Sequence, residues 1–111
     1  MKKVIATTNA PGAIGPYSQA IDTGSFVFIS GQIPVNPATG EIPEGIDAQA
    51  AQSMANIKAI LAEAGLTMDN VVNTTVFLAD MSLFADMNKV YAENFTAPFP
   101  ARSAVAVKEL P

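Results

Sequence analysis

Phe99-Pro100-Ala101-Arg102-Ser103-Ala104-Val105-Ala106-Val107 reads as a strand that opens out of a proline-bounded turn. Pro98 and Pro100 keep the residues before them out of helix. The run that follows alternates small with β-branched side chains, the pattern of a half-buried strand. A second β-prone run, Val71–Leu78, lies upstream, and a stretch of helical period separates the two. Strand, helix and strand in that order make a right-handed crossover, so the two strands are expected to run parallel.

The helix inside the crossover is predicted to begin at Asp80 or Ser82 and to end near Phe95. Phe84, Asn88, Tyr91 and Phe95 share a stripe, with Leu83, Met87 and Val90 beside it. Asn88 is thus an amide at the edge of an apolar face, where it either ties down a backbone group or faces a site. In Val71–Leu78, Val72, Thr74, Val76 and Leu78 fall on one face, and Asn73, Thr75 and Phe77 on the other.

Upstream, Asp47–Ala64 carries the clearest helical pattern. Asp47 is read as its cap. Ala50, Met54, Ile57 and Leu61 form the apolar face, with Ile60 and Ala64 next to it. Methionine in such a stripe fills a core. Gly65 supplies a left-handed residue to close the helix, and Leu66 folds back onto the last turn. Nearer the N-terminus, Lys3–Thr7, Tyr17–Asp22 and Phe26–Ser30 are β-prone. Thr23-Gly24-Ser25 joins the last two as a hairpin. Asn9–Pro16 and Gln32–Glu41 are loops dense in proline and glycine. The expected architecture is α+β, one domain over residues 1–111, with a mixed sheet and both helices on one face. The other face is left for a neighbouring subunit to cover.

Composition narrows the chemistry. The chain has 111 residues, half of them hydrophobic and 14% charged. So little charge fits either an alanine-rich chain or an apolar face hidden in an oligomer. The ten acids and six bases give a net charge of −4, and the lysines are scattered, which is no footprint for nucleic acid. There is no apolar run long enough to span a bilayer, and the first residues lack the apolar core of a signal peptide. A cytoplasmic protein is the default expectation. Histidine and cysteine are absent, which excludes Ser-His and Cys-His nucleophiles and the usual zinc ligands. An all-carboxylate cation site remains open to the chain, although it has no clustered acidic loop of the calcium type. Arg102 is the one arginine. Its planar, permanently charged fork can grip a carboxylate with two parallel hydrogen bonds, or it can pair with a glutamate of its own chain.

Asn9-Ala10-Pro11, Ile14-Gly15-Pro16-Tyr17-Ser18-Gln19-Ala20, Ser30-Gly31-Gln32-Ile33-Pro34 and Phe99-Pro100-Ala101-Arg102-Ser103 follow one another at a specific spacing. In this the chain resembles the reactive intermediate deaminase A (RidA, or YjgF-like) family over essentially its whole length. The resemblance implies a chorismate-mutase-like fold and a homotrimer with sheets inward, helices outward and three clefts between subunits. It implies hydrolysis of 2-imino acids, such as 2-iminobutanoate and 2-iminopropanoate, or of their 2-aminoacrylate-type enamine tautomers. The products are 2-oxo acids and ammonia, and no cofactor or metal takes part.

Residue by residue, the resemblance makes Arg102 the holder of the substrate carboxylate. It places Tyr17, Ser30, Gly31 and Asn88 along the cleft, Gly31 through its backbone, with Ser103 beside the arginine. Ala104 stands where many relatives have cysteine, and only its backbone is expected to meet the imine. Tyr17 is the nominated proton carrier. The family has a last strand after the turn at Lys108–Pro111, with a glutamate that positions water. The sequence given stops before that strand: either the natural chain continues past Pro111 or the domain lacks it, and none of Glu41, Glu44 or Glu109 matches that glutamate. The alternative to the enzyme is a non-catalytic trimer that binds 2-oxo acids for regulation. RNA cleavage, attributed to some relatives, fits this acidic, histidine-free chain least.

Overall fold

The structure is a computed structural model that describes residues 1–111. Its first unit is a meander of short strands, β1 (Lys3–Ile5), β2 (Ala20–Asp22) and β3 (Val27–Ile29), paired antiparallel in that order. The hairpin between β2 and β3 turns at Gly24, whose φ of 94° favours glycine. The Asp22 carboxylate accepts the Gly24 N–H at 2.7 Å, and Thr23 closes the turn onto Phe26. Tyr17-Ser18-Gln19, expected in β2, lie outside it. The Tyr17 N–H turns back to the Gly15 carbonyl at 2.9 Å, while the Ser18 and Gln19 carbonyls accept from the Ser30 hydroxyl and N–H just past β3.

Helix α1 spans Ile46–Glu63. Asp47 is not its cap, as the sequence reading had it. Gly45, with φ 88°, turns the chain so that Ile46 is already helical, and Asp47 sits in the first turn. There its charge still favours the positive end of the helix dipole. The other end is as expected: Gly65 has φ 75°, its N–H reaches Ala62, and the Leu66 N–H reaches Leu61 at 2.8 Å. Those two bonds satisfy carbonyls that the helix leaves open.

The parallel pairing and the helix between its strands are present as read. β4 (Asn73–Leu78) and β5 (Ala101–Ala106) run parallel, with Thr74 opposite Arg102 and Val76 opposite Ala104. Between them a short 3-10 turn at Met81–Leu83 leads into α2 (Phe84–Asn94). Asp80 caps that turn by accepting the Ser82 N–H at 2.8 Å, which holds its carboxyl below the usual range. Val71 and Val72 stay outside β4, because Val71 finishes the 3-10 turn at Met68–Asn70.

Two buried clusters hold these parts together. Met54, Leu78, Met87, Tyr91 and Phe95 join α1, β4 and α2. Ile5, Ala10, Ala20 and Ile60 join the meander to α1. The expected single mixed sheet is thereby corrected: the strands form a three-stranded and a two-stranded group with no ladder between them. The meander satisfies itself through its hairpin and β4–β5 through the crossover. Side chains of α1, Met54 toward one group and Ile60 toward the other, make the link instead. The face of β4 away from the helices is open, with Asn73, Thr75 and Phe77 all exposed. Val4, Phe28 and Val105 are also large exposed apolar side chains. No helix is long and apolar enough to cross a membrane.

Candidate functional site

Arg102 is the second residue of β5, on the helix side of the strand. Its Nη1 donates to the Asn88 Oδ1 at 2.7 Å. Its guanidinium carbon lies 4.6 Å from the centre of the Tyr91 ring and 5.4 Å from that of Phe84. An amide and two aromatic faces therefore hold the guanidinium, in place of a carboxylate of its own chain. An amide accepts a hydrogen bond without cancelling the charge, and an aromatic face attracts a cation without taking up its N–H groups. Of the five N–H groups on the fork, the one held by Asn88 leaves the others for an incoming anion. Asn88, which the sequence left between two roles, binds a side chain and no backbone group.

The neighbours of Arg102 divide by strand alternation. Ala104 is half-buried and packs against the core on the same side. Ser103 is exposed, on the opposite face of β5.

A second group forms at the meander. Tyr17 and Ser30 share an open hollow of about 390 Å³, with Lys2 and Phe28 among its walls. The Ser30 hydroxyl donates to the Ser18 carbonyl at 2.6 Å, and the Tyr17 hydroxyl accepts from the Ile14 N–H at 3.4 Å. Tyr17 is just over half exposed. Gly31 follows on the surface. Its φ is not positive, and a Cβ placed there would meet nothing within 4 Å. Arg102 and Asn88 line no part of this hollow, so within one chain the expected site residues fall into two groups.

Two buried amides fasten the loops that carry the second group. Gln19 is 4% exposed; its Oε1 accepts the Thr7 N–H at 2.7 Å, and its Nε2 donates to Thr7 and Pro11 carbonyls. Asn56, 1% exposed, donates from α1 to the carbonyls of Ile33 and Val35, just past Gly31. Sequence reasoning missed Asn56. The available signal was a poor helix former in the middle of a helix. Gln19→Ala should cost about 3 kcal/mol, since it strands buried backbone groups as well as removing bonds. Urea unfolding would check this, and a midpoint unchanged from the parent would show that the loop does not depend on Gln19.

Comparison with known proteins places these features in a family. The sequence profile described as endoribonuclease L-PSP matches residues 7–111. The 2-iminobutanoate/2-iminopropanoate deaminase of Escherichia coli K12 is 54% identical over 114 residues, covering all of this chain and 89% of that protein. Among solved structures, E. coli TdcF with bound serine superposes with a TM-score of 0.93 at 50% identity, covering 99% of this chain and 89% of that one. RidA from an Antarctic Psychrobacter gives a TM-score of 0.95 at 48% identity, covering 98% and 89%. Near-complete coverage at such identity leaves one assignment, and the chain belongs to the L-PSP family in its RidA/YjgF branch of reactive intermediate deaminases.

Proposed function

We propose that this protein is a deaminase that hydrolyses 2-imino acids, among them 2-iminobutanoate and 2-iminopropanoate, to 2-oxo acids and ammonia. The observation that carries the reading is Arg102, a fixed charge held by an amide and two rings and left unneutralised. The name of the E. coli relative states the same reaction, and TdcF holds serine, itself a small amino acid with a carboxylate.

In the reaction, Arg102 grips the substrate carboxylate and fixes the orientation of the neighbouring C=N bond. Water adds to the imine carbon, a proton passes to nitrogen, and the carbinolamine collapses to the 2-oxo acid as ammonia leaves. Tyr17 carries a proton at its hydroxyl. Ser30 and the backbone of Gly31 and Ala104 line the cleft, whereas Ser103, on the other face of β5, is withdrawn from it. Such imines also hydrolyse unaided, so orientation and charge placement suffice for a useful acceleration.

Residues 1–111 act as one domain of chorismate-mutase-like form, in the cytoplasm, as a homotrimer with clefts between subunits. Three features support the assembly. The two residue groups do not meet within one chain, the outer sheet faces carry exposed Phe28, Phe77 and Val105, and Gly31 stands open where a bare backbone serves only a visitor. The endoribonuclease wording attached to the family finds no support here, given scattered lysines and no histidine.

The test generates imine in place with an amino-acid oxidase and follows 2-oxo acid release. Release faster than the spontaneous rate, in proportion to protein added, is expected. Binding of a 2-oxo acid without acceleration would instead make the protein a carboxylate-binding regulator.

A further inference from the structure

Arg102 and Thr74 are register partners across the β4–β5 ladder, and both are tied to one residue of α2. The Tyr91 hydroxyl and the Thr74 Oγ1 are 2.8 Å apart, a hydrogen bond in which either atom can donate. The Tyr91 ring lies 4.6 Å from the Arg102 guanidinium carbon. Tyr91 is 5% exposed and packs with Phe95 at a centroid distance of 4.6 Å, so its ring has little room to swing. The hydroxyl of Tyr91 is therefore pinned to one strand while its face supports a side chain on the next.

We infer that Tyr91, locked by Thr74, is a positioning residue that sets the plane of the Arg102 guanidinium and so the affinity for the substrate carboxylate. This rests on the proposed role of Arg102. Asn88 fixes one nitrogen of the fork, which leaves the group free to pivot about that bond. A ring face 4.6 Å from the guanidinium carbon limits that pivot without taking up the fork's N–H groups. Two parallel hydrogen bonds to a carboxylate require both donors in one plane, so a tilted fork keeps its charge and loses the pairing. Phe84, farther away at 5.4 Å, adds a second wall with no polar lock.

The experiment compares KM and kcat of the assembled protein with Tyr91→Phe, Tyr91→Leu, Thr74→Val and Arg102→Ala. Tyr91→Leu removes the face and should raise KM about tenfold. Tyr91→Phe keeps the face and loses the lock, and Thr74→Val loses the same lock from outside the core. Each should raise KM about threefold. A purely structural role gives the opposite split, because fewer folded molecules lower apparent kcat and leave KM alone. A KM rise in Tyr91→Leu that exceeds that of Tyr91→Phe supports the inference whatever happens to kcat. An unchanged KM in Tyr91→Leu overturns it, with or without a fall in kcat. Should Arg102→Ala also keep the parent KM, the carboxylate-anchor reading falls with it; a damaged Arg102→Ala beside a normal Tyr91→Leu sinks the positioning role alone.

Discussion

Arg102→Ala should abolish the acceleration of imine hydrolysis while leaving the proposed trimer intact. Two charge-assisted hydrogen bonds are lost together, worth about 4 kcal/mol, or roughly a thousandfold in kcat/KM. The fold has little stake in the residue, because the guanidinium joins no ion pair with its own chain and its polar bond goes to Asn88 at the same rim. Arg102→Lys separates charge from shape. Lysine keeps a positive group and loses both the fork and the flat surface that rests on Tyr91. It should recover only a small part of the loss. The measurement is coupled 2-oxo acid release alongside light scattering for the assembly. Parent-level rates from Arg102→Ala would remove the basis of the proposed mechanism.

Phe77→Glu should dissociate the proposed trimer. Phe77 lies on the open face of β4 and is 57% exposed in the single chain, so the change does not strike the core. In the proposed assembly it is covered by a neighbour. Covering a phenylalanine is worth about 1.5–3 kcal/mol per site. A carboxylate trapped there unpaired costs several kcal/mol more. The expected result is a monomer by light scattering, with near-parent helix content and deaminase activity lost along with the clefts. Phe77→Ala should give an intermediate, concentration-dependent mixture. A stable, active trimer of Phe77→Glu would show that this face is not the contact.

Much of the fold could be read from local signals. Gly24, Gly65, Pro98 and Pro100 punctuate the chain at turns and helix ends, where backbone constraints act within a few residues. The parallel pairing of β4 and β5 followed from chain direction and connection length. What escaped was set by tertiary placement. The division into two strand groups depends on how α1 spans them, which no short window contains. Asn56 and Gln19 looked like ordinary polar residues, because burial of an amide depends on carbonyls contributed from distant segments. Asp47 lost the cap to a glycine two residues earlier.

The site was legible in part. Arg102 stood out by being alone among cations of its kind, and Asn88 by its place on an apolar stripe. Tyr91 was visible only as a core residue. Nothing in its spacing shows that its ring underlies the guanidinium, since that contact joins a helix residue to a strand residue eleven positions later. Tyr17, Ser30 and Gly31 were nominated by resemblance.

The two tethers also decide how the protein meets acid. Gln19 and Asn56 end in carboxamides, which neither gain nor lose a proton over the range where carboxylates and phenols do. The loops that Gln19 and Asn56 hold are thus fastened by groups indifferent to acidification. The Asp80 cap before α2 is the contrast, since its bond to the Ser82 N–H is lost as the carboxyl protonates.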